Sequence, residues 1–557
     1  VLCASLLGIV LYGLWKGRRT RDLDDFLLAD RSMRWQRVAL SIMATQASAI
    51  TFLSTPGQAY TDGMRFVQFY LGLPVAMVIL SAVAVPVYHR LKVYTAYEYL
   101  ERRFDLKTRT LAAALFLVQR GLAAGLTIYA PSVILSVIMG WDIRLVVLII
   151  GGLVTLYTAA GGARAVDNTN SQQMIIIMGG MFAALLTIIA LLPPDISFLE
   201  AVHVAGEAGR LNAMDFSFDP SNQYNFWSGL IGGGFLALAY FGTDQSQVQR
   251  YLTGESVAQS RLGLLFNGLV KVPMQFFILF IGAMVFAFYQ FTAPPVFHNP
   301  VELERVRAGA RGTELAGVEA RYAEARAAQT IAARGVAEAV RAGDEAGIEA
   351  AGERLRAAQG HAEGIRAEAI ALVRAENQRT NAGNDTNYVF LGFVIRYLPA
   401  GMVGLILAAV FFASMSSTAS ELNALASTTI VDGYRRLLKR EASDRHYVVC
   451  SKLATLFWGL FAMAFAEYAG QLGSLVEAVN RLGSLFYGTI LGIFILAFGF
   501  RRIGGSAAFL GALVGQAIVL YCFFFTGIAY LWFNLIGALV VVAVAFLLNP
   551  WLKKVNG

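Results

Sequence analysis

Two runs of small and hydroxyl-bearing residues sit inside stretches that are otherwise continuously apolar. One is Ala44-Thr-Gln-Ala47-Ser-Ala-Ile-Thr51-Phe-Leu-Ser-Thr-Pro56-Gly57; the other is Phe412-Ala413-Ser-Met-Ser416-Ser417-Thr418-Ala-Ser420-Glu421-Leu-Asn423. A lipid-facing helix has no use for them. Small residues let helices pack closely, and that alone accounts for such a run in many membrane proteins. The sharper chemistry is ion binding: a helix unwound at the first run would aim freed carbonyls at a cation, with hydroxyls of the second run completing the shell. Neutral oxygen donors of this kind suit a hard alkali ion such as sodium.

Ionisable residues within apolar stretches are the second chemical signal, because each costs about 2.5–3.5 kcal/mol on insertion scales and so needs a partner or a watery cavity. Arg120, in Val-Gln-Arg-Gly-Leu-Ala-Ala-Gly, admits two readings. It is either structurally paired or a forked clamp for a solute carboxylate. Lys271 is open in the same way: it could contact a solute, or pair with Asp244 and Gln245 as internal scaffolding. Catalytic chemistry has little to stand on. The 3 cysteines and 5 histidines are scattered without metal-ligand spacing, no GxSxG elbow occurs, and no paired intramembrane carboxylates stand out. An enzyme is not expected.

The elements that must position these residues follow from composition. A 557-residue chain with 57% apolar and 15% charged residues is too apolar for a water-exposed surface of that size. The net charge of +8 does not point to nucleic acid, since there is no Lys/Arg run or stacking platform. Apolar stretches near 1–15, 37–60, 66–88, 110–139, 143–160, 172–192, 226–248, 262–291, 388–425, 447–468, 474–500, 505–526 and 529–549 give about thirteen spans of membrane-crossing length. An all-α polytopic protein in a lipid bilayer is expected, with residues 1–15 read as a truncated membrane helix rather than a signal peptide. Basic clusters (Lys16 to Arg21, His89 to Arg109, Arg164, Arg250 to Arg261, Arg435 to Arg440, Arg501/Arg502 and Lys553/Lys554) all fall on one side if the amino terminus is outside and the carboxyl terminus cytoplasmic. A bacterial-type inner membrane is the expected location.

Residues 302–379 break the pattern. They are rich in Ala, Glu and Arg and contain no Lys. Such helix formers, with Ala-Gly-Asp-Glu-Ala-Gly at 342–347 as a turn, predict an outer helical hairpin. It would be a solvated insertion, or a surface for a lid or a protein partner.

The two hydroxyl runs, with Ala96-Tyr-Glu-Tyr-Leu-Glu-Arg-Arg-Phe104, Gly161-Gly162, Gln249-Arg250-Tyr251-Leu252, Lys271-Val-Pro-Met-Gln-Phe-Phe277 and Asp432-Gly-Tyr434, resemble the sodium/solute symporter family across nearly the whole chain outside 302–379. The motifs come nearest to its sialic acid, monocarboxylate and vitamin branch. The resemblance implies a LeuT-like five-plus-five inverted repeat: 1–36 as a first helix and cytoplasmic loop, 37–192 as the first repeat, 193–225 as an outer loop, 226–500 as the second repeat interrupted by 302–379, and 501–557 as two further helices and a tail. It implies a sodium ion held by the carbonyls of Ala44, Ala47 and Ala413 and the hydroxyls of Ser416 and Ser417. A second sodium site would draw on Ser420 and an Asp, but this chain carries Asn170 at that place, with Asp167 one turn away, and Ala419 beside Ser420. For the solute it implies Arg120 and Gln68, with Ser48 and Thr51 beside the carboxylate and Phe66, Phe69 and Tyr70 as walls. Tyr240 and Phe241 fall at an inner aromatic gate, Lys271 at a solute-contacting lysine, and Ala237 replaces a sugar-binding Asn; Asn480 is a further candidate. The implied function is sodium-coupled import of a small, carboxylate-bearing solute. A sugar or other neutral solute is the alternative, followed by a transporter-like receptor acting through a partner at the insertion.

Overall fold

The computed structural model describes residues 33–46, 49–377 and 383–555, of which 161–173, 377, 409 and 553–555 are described as backbone only. The chain runs through α1 (Trp35–Gln46), α2 (Ala49–Asp62), a 3-10 turn at Met64–Tyr70, α3 (Leu73–Ala82), α4 (Ala84–Leu91), α5 (Ala96–Arg103), α6 (Leu106–Met139), α7 (Ile143–Ala190) and α8 (Phe198–Glu207). A π-helical turn at Ser228–Gly233 then leads into α9 (Gly234–Thr243), α10 (Gln245–Leu252), α11 (Val257–Phe291), α12 (Pro300–Ala308), α13 (Gly312–Ala342) and α14 (Glu345–Asn377). The remaining helices are α15 (Thr386–Tyr397), α16 (Ala400–Thr428) followed by a π-helical segment, α17 (Asp444–Ala469), α18 (Leu475–Gly499), α19 (Gly505–Phe525) and α20 (Leu531–Val555).

Among the described residues, 9 helices are long and apolar enough to cross a membrane, the bent pair α1/α2 makes up to 10, and Met174–Ala190 and Ser228–Thr243 are shorter apolar helices. Together they fall on every apolar stretch expected between 37 and 549; the stretch at 1–15 lies outside the described residues. Two details differ from expectation. The 388–425 stretch is not one helix: Leu398 is extended (φ −84, ψ 151) and Pro399 caps α16, because proline lacks the amide donor and pushes the residue before it out of helical geometry. Conversely, α7 is a continuous 48-residue helix where two spans with a loop at Arg164 were expected. No proline interrupts residues 161–173, and their backbone stays helical.

Two groups of helices pack around the centre. α6, α7, α16 and α17 form one; α1, α2, α3, α9 and α11 form the other. They meet where α1 lies on α16 and α2 on α6, with α18 packed against both α6 and α9. Close approach in the second group depends on glycine: a Cβ on Gly229 or Gly233 would strike the carbonyls of Gln68 or Phe69.

The hairpin α13/α14 closes at Gly343, whose positive φ of 68 makes it the left-handed cap that ends α13. It is docked on one end of the bundle. Arg326 donates to the Tyr289 carbonyl, Gln329 Nε2 to Gln290 Oε1 at 2.7 Å, and Arg341 Nε to Glu200 Oε1 at 2.8 Å. At its return, Arg366 meets both oxygens of Asp385 at 2.6 and 2.7 Å. Burial would raise Asp385, but the Arg366 guanidinium and the neighbouring His298 outweigh it and hold the carboxyl below its ordinary range. Burial pulls the His298 imidazole the other way, down to about 4, against the pull of Asp385.

Candidate functional site

Two of the central helices are discontinuous. α1 and α2 are bent by 59° across Ala47–Ser48. Asp244 interrupts α9 and α10 in an extended conformation (φ −75, ψ 118). Its Oδ1 caps α10, accepting from Ser246 N at 2.9 Å and Ser246 Oγ at 2.6 Å. The interruption thus presents the other oxygen, Oδ2, to the interior. Broken helices at the centre of two packed groups are the geometry in which backbone dipoles and carbonyls can bind ions and charged groups.

At the first break, Ser417 Oγ of α16 donates to the carbonyl of Ala44 at 3.2 Å. Two oxygens of the expected sodium set therefore stand close enough to share one cation. Ala413 and Ser416 are buried on the same helix, at 3% exposure each. Ser420 Oγ is turned back onto the Ser416 carbonyl at 2.9 Å. Ala47 and Ser48 lie outside the described residues, as does the side chain of Asn170.

Between the two breaks lies a cavity of about 120 Å³. Of the residues singled out in the sequence, Thr51, Phe69, Tyr70, Arg120, Ala237, Tyr240, Phe241, Lys271 and Asn480 line it. Gln68 does not: its amide bridges the 215–224 loop, donating to Tyr224 O and accepting from Asp215 N, each at 2.9 Å. Thr51 Oγ1 donates to the Gln46 carbonyl at 3.0 Å, across the break.

Arg120 is engaged through its two terminal nitrogens on one edge of the cavity. Its guanidinium is ion-paired with Asp244, meets Glu421 Oε1 at 3.0 Å and donates to Tyr487 Oη at 2.7 Å. Tyr487 in turn donates to Asp244 Oδ2 at 2.8 Å, Thr127 Oγ1 donates to Glu421 Oε2 at 2.7 Å, and the Tyr240 ring lies 5.5 Å from the guanidinium. This is the paired arrangement of Arg120, with helices α6, α9/α10, α16 and α18 tied through one side chain. Asp244 therefore belongs to Arg120 rather than to Lys271. Lys271 is 2% exposed and makes no ion pair with any described residue; the nearest charge-sensitive partner is the Tyr70 ring, 6.0 Å from the ammonium. One helical turn to either side on α11, Asn267 Oδ1 and both amide atoms of Gln275 also lack partners among the described residues.

Glu421, Tyr487 and Thr127 are the polar lining residues on the Arg120 edge to which sequence reasoning gave no role. Glu421 had a signal: a carboxylate inside an apolar span. Tyr487 and Thr127 had none, since an aromatic or a threonine in a membrane helix is ordinary.

The comparisons with known proteins bear on the family and the fold. A family model described as the sodium:solute symporter family matches residues 26–320 and 361–515. The chain is 26% identical to sodium-coupled monocarboxylate transporter 1 of Xenopus laevis over 521 residues, covering 94% of this chain and 70% of that protein. It is 24% identical to the sodium/sialic acid symporter NanT of Aliivibrio fischeri over 565 residues, covering 99% and 93%. A solved structure of a Na+-coupled sialic acid symporter in a substrate-bound, outward-open state superposes with a TM-score of 0.75 at 22% identity, covering 99% of this chain and 96% of that one, and so shares its fold.

Proposed function

The chain belongs to the sodium:solute symporter family, and from that premise we propose that it imports a small monoanionic carboxylate together with sodium by alternating access. The observation that carries the solute class is Lys271, a buried basic side chain with no counter-ion among the described residues, on the wall of the central cavity. An ammonium left unpaired in such a place is costly unless something arrives to pair with it. A carboxylate does so, with Ser48 as a hydroxyl donor, Thr51 as a second once its hydroxyl turns from the Gln46 carbonyl, and Phe69 and Tyr70 as apolar walls.

Sodium binds at Ala44, Ala47, Ala413, Ser416 and Ser417, where the two packed groups meet. Binding there favours the conformations in which α1 and α16 stay together, and that differential affinity is how an ion drives the cycle. Tyr240 and Phe241 close the inner side of the cavity. The repeats are 37–192 and 226–500, the amino terminus lies outside and the carboxyl terminus in the cytoplasm of a bacterial-type cell, and the solute is moved without chemical conversion. With a single sodium and a monoanion no net charge crosses. The membrane potential, at about 2.3 kcal/mol per charge per 100 mV, then contributes nothing, and a tenfold sodium gradient contributes about 1.4 kcal/mol, enough for roughly tenfold accumulation.

Proteoliposomes with an inward sodium gradient test this, using labelled pyruvate, sialic acid and biotin as probes. Wild-type protein should take up at least one of them only with sodium. Lys271→Met keeps the volume and breaks no ion pair; it should lower apparent affinity by about 10- to 100-fold, the worth of a charge-assisted hydrogen bond of 1.5–3 kcal/mol. Unchanged affinity in that variant would remove the carboxylate from Lys271, and sodium-driven inward current with a neutral sugar would favour the neutral-solute alternative.

A further inference from the structure

We propose that Glu421 is the residue that obliges sodium and the solute anion to travel together. The inference rests on the function proposed above and concerns the charge of the site as a whole. Four ionisable side chains define it: Arg120, Lys271 and Glu421 on the cavity wall, and Asp244 immediately behind on the same guanidinium. By side-chain type two are basic and two acidic, so with all four ionised the empty site carries no net charge, although its charges are unevenly placed: Arg120 is shared by two carboxylates, and Lys271 stands apart.

Sodium alone makes this site positive by one charge. A monoanion alone makes it negative by one. Both together restore neutrality. All four side chains are nearly shut off from solvent, with exposures of 1–5%, and an uncompensated charge in such a place is expensive to carry through the conformations that seal it from water. Empty and doubly loaded carriers therefore exchange sides readily, whereas either half-loaded carrier is held back. This is coupling by charge balance.

Glu421 is the member of the set placed to do this. It lies four residues after Ser417 on α16, on the same face one turn on, and Ser417 is the hydroxyl that meets the Ala44 carbonyl. Its carboxylate thus links the helix that carries the sodium-site serines to Arg120, accepting from Arg120 on one oxygen and from Thr127 on the other. Without its charge the empty site would be positive, an anion alone would neutralise it, and sodium would approach an undercompensated guanidinium. Asp244 counts equally in the charge sum, but it does not line the cavity, and its Oδ1 caps α10.

The experiment compares wild type, Glu421→Gln and Glu421→Asp in purified form. Thermal stabilisation by sodium, against potassium as control, is measured first. Glu421→Gln should need at least tenfold more sodium, Glu421→Asp should recover most of the difference, and carboxylate binding in Glu421→Gln should persist in potassium. An unchanged sodium midpoint with strictly sodium-dependent carboxylate binding in Glu421→Gln would overturn the proposal. A wild type that does not distinguish sodium from potassium would instead defeat the underlying function. A second measurement needs no variant: wild-type proteoliposomes carrying out sodium-dependent uptake of a monoanion should show no solute-evoked current, and a sustained current would overturn charge balance even if Glu421→Gln failed to fold.

Discussion

Arg120 and Arg321 each reach a carboxylate on another helix, in two regions built on opposite terms. Arg120 is 2% exposed at the centre of the bundle and is divided between Asp244 and Glu421. Arg321 sits on the hairpin, 2.5 Å from Glu368, with side chains 53% and 50% exposed. At the centre, each charge is irreplaceable because water cannot stand in for its partner. On the hairpin, water and salt supply the partner whenever the side chain leaves. The hairpin also carries many more charges than the centre, yet the family model passes over residues 321–360. Density of ion pairs is thus a poor guide to which ones matter.

The largest effect that would test this contrast is at Arg120. Arg120→Ala leaves Asp244 and Glu421 buried together without a cation, which should cost about 3–5 kcal/mol and show as a collapse in the yield of monodisperse protein. Adding Glu421→Gln and Asp244→Asn to it should recover the folded fraction, since the cost lies in the stranded charges. If Arg120→Ala alone were as stable as wild type, the centre would be better solvated than its burial implies, and the distinction between the two regions would fail.

The sequence displayed the two hydroxyl runs, the buried Arg120 and Lys271, and the apolar stretches that became helices, because those signals are local: composition, spacing, and a charge among apolar neighbours. The partners were not local. Asp244 and Glu421 are 124 and 301 residues from Arg120, and no periodicity connects them. Lys271 was therefore open to pairing with Asp244 until the fold gave that carboxylate to Arg120. Leu398-Pro399 is a different case. The break was readable from the proline, but the apolar run on both sides hid it. At Gln68 the residue was in the right neighbourhood and faced the wrong way, which only the positions of Tyr224 and Asp215 reveal.

An intermediate effect is expected where the hairpin returns to the bundle, because there a few of its groups are as buried as those at the centre. His298 is 5% exposed, flanked by the rings of Tyr60 and Tyr289, with Asp385, Arg366 and Arg326 as the neighbouring charges. Its folded pKa of about 4 lies below the ordinary 6.5. Between those values an unfolded chain takes up a proton that the folded chain refuses, so stability falls as pH drops from 6.5 to 4, by up to about 3 kcal/mol. Asp385, held below 3.8, adds a loss only below that window. Hydrogen exchange across 312–377 should accelerate as pH falls through the window, after correction for intrinsic rates. His298→Phe keeps the ring packing and should flatten the profile; an unflattened profile would assign the acid sensitivity to another group.

The smallest effect belongs to Arg321 itself. Losing a long, half-exposed side chain releases conformational freedom that the ion pair had restrained, and this offsets most of the screened attraction to Glu368. Arg321→Ala should leave the melting temperature and its salt dependence where they are in wild type. Alanine also has the higher helix propensity, so any residual change on α13 should be in the stabilising direction. A clear loss of stability at low salt that vanishes at high salt would mean that the hairpin's ion pairs act as a connected network, with Arg307, Glu304 and Glu319 reinforcing one another across α12 and α13. The outer and central regions would then differ in exposure but not in how they use charge.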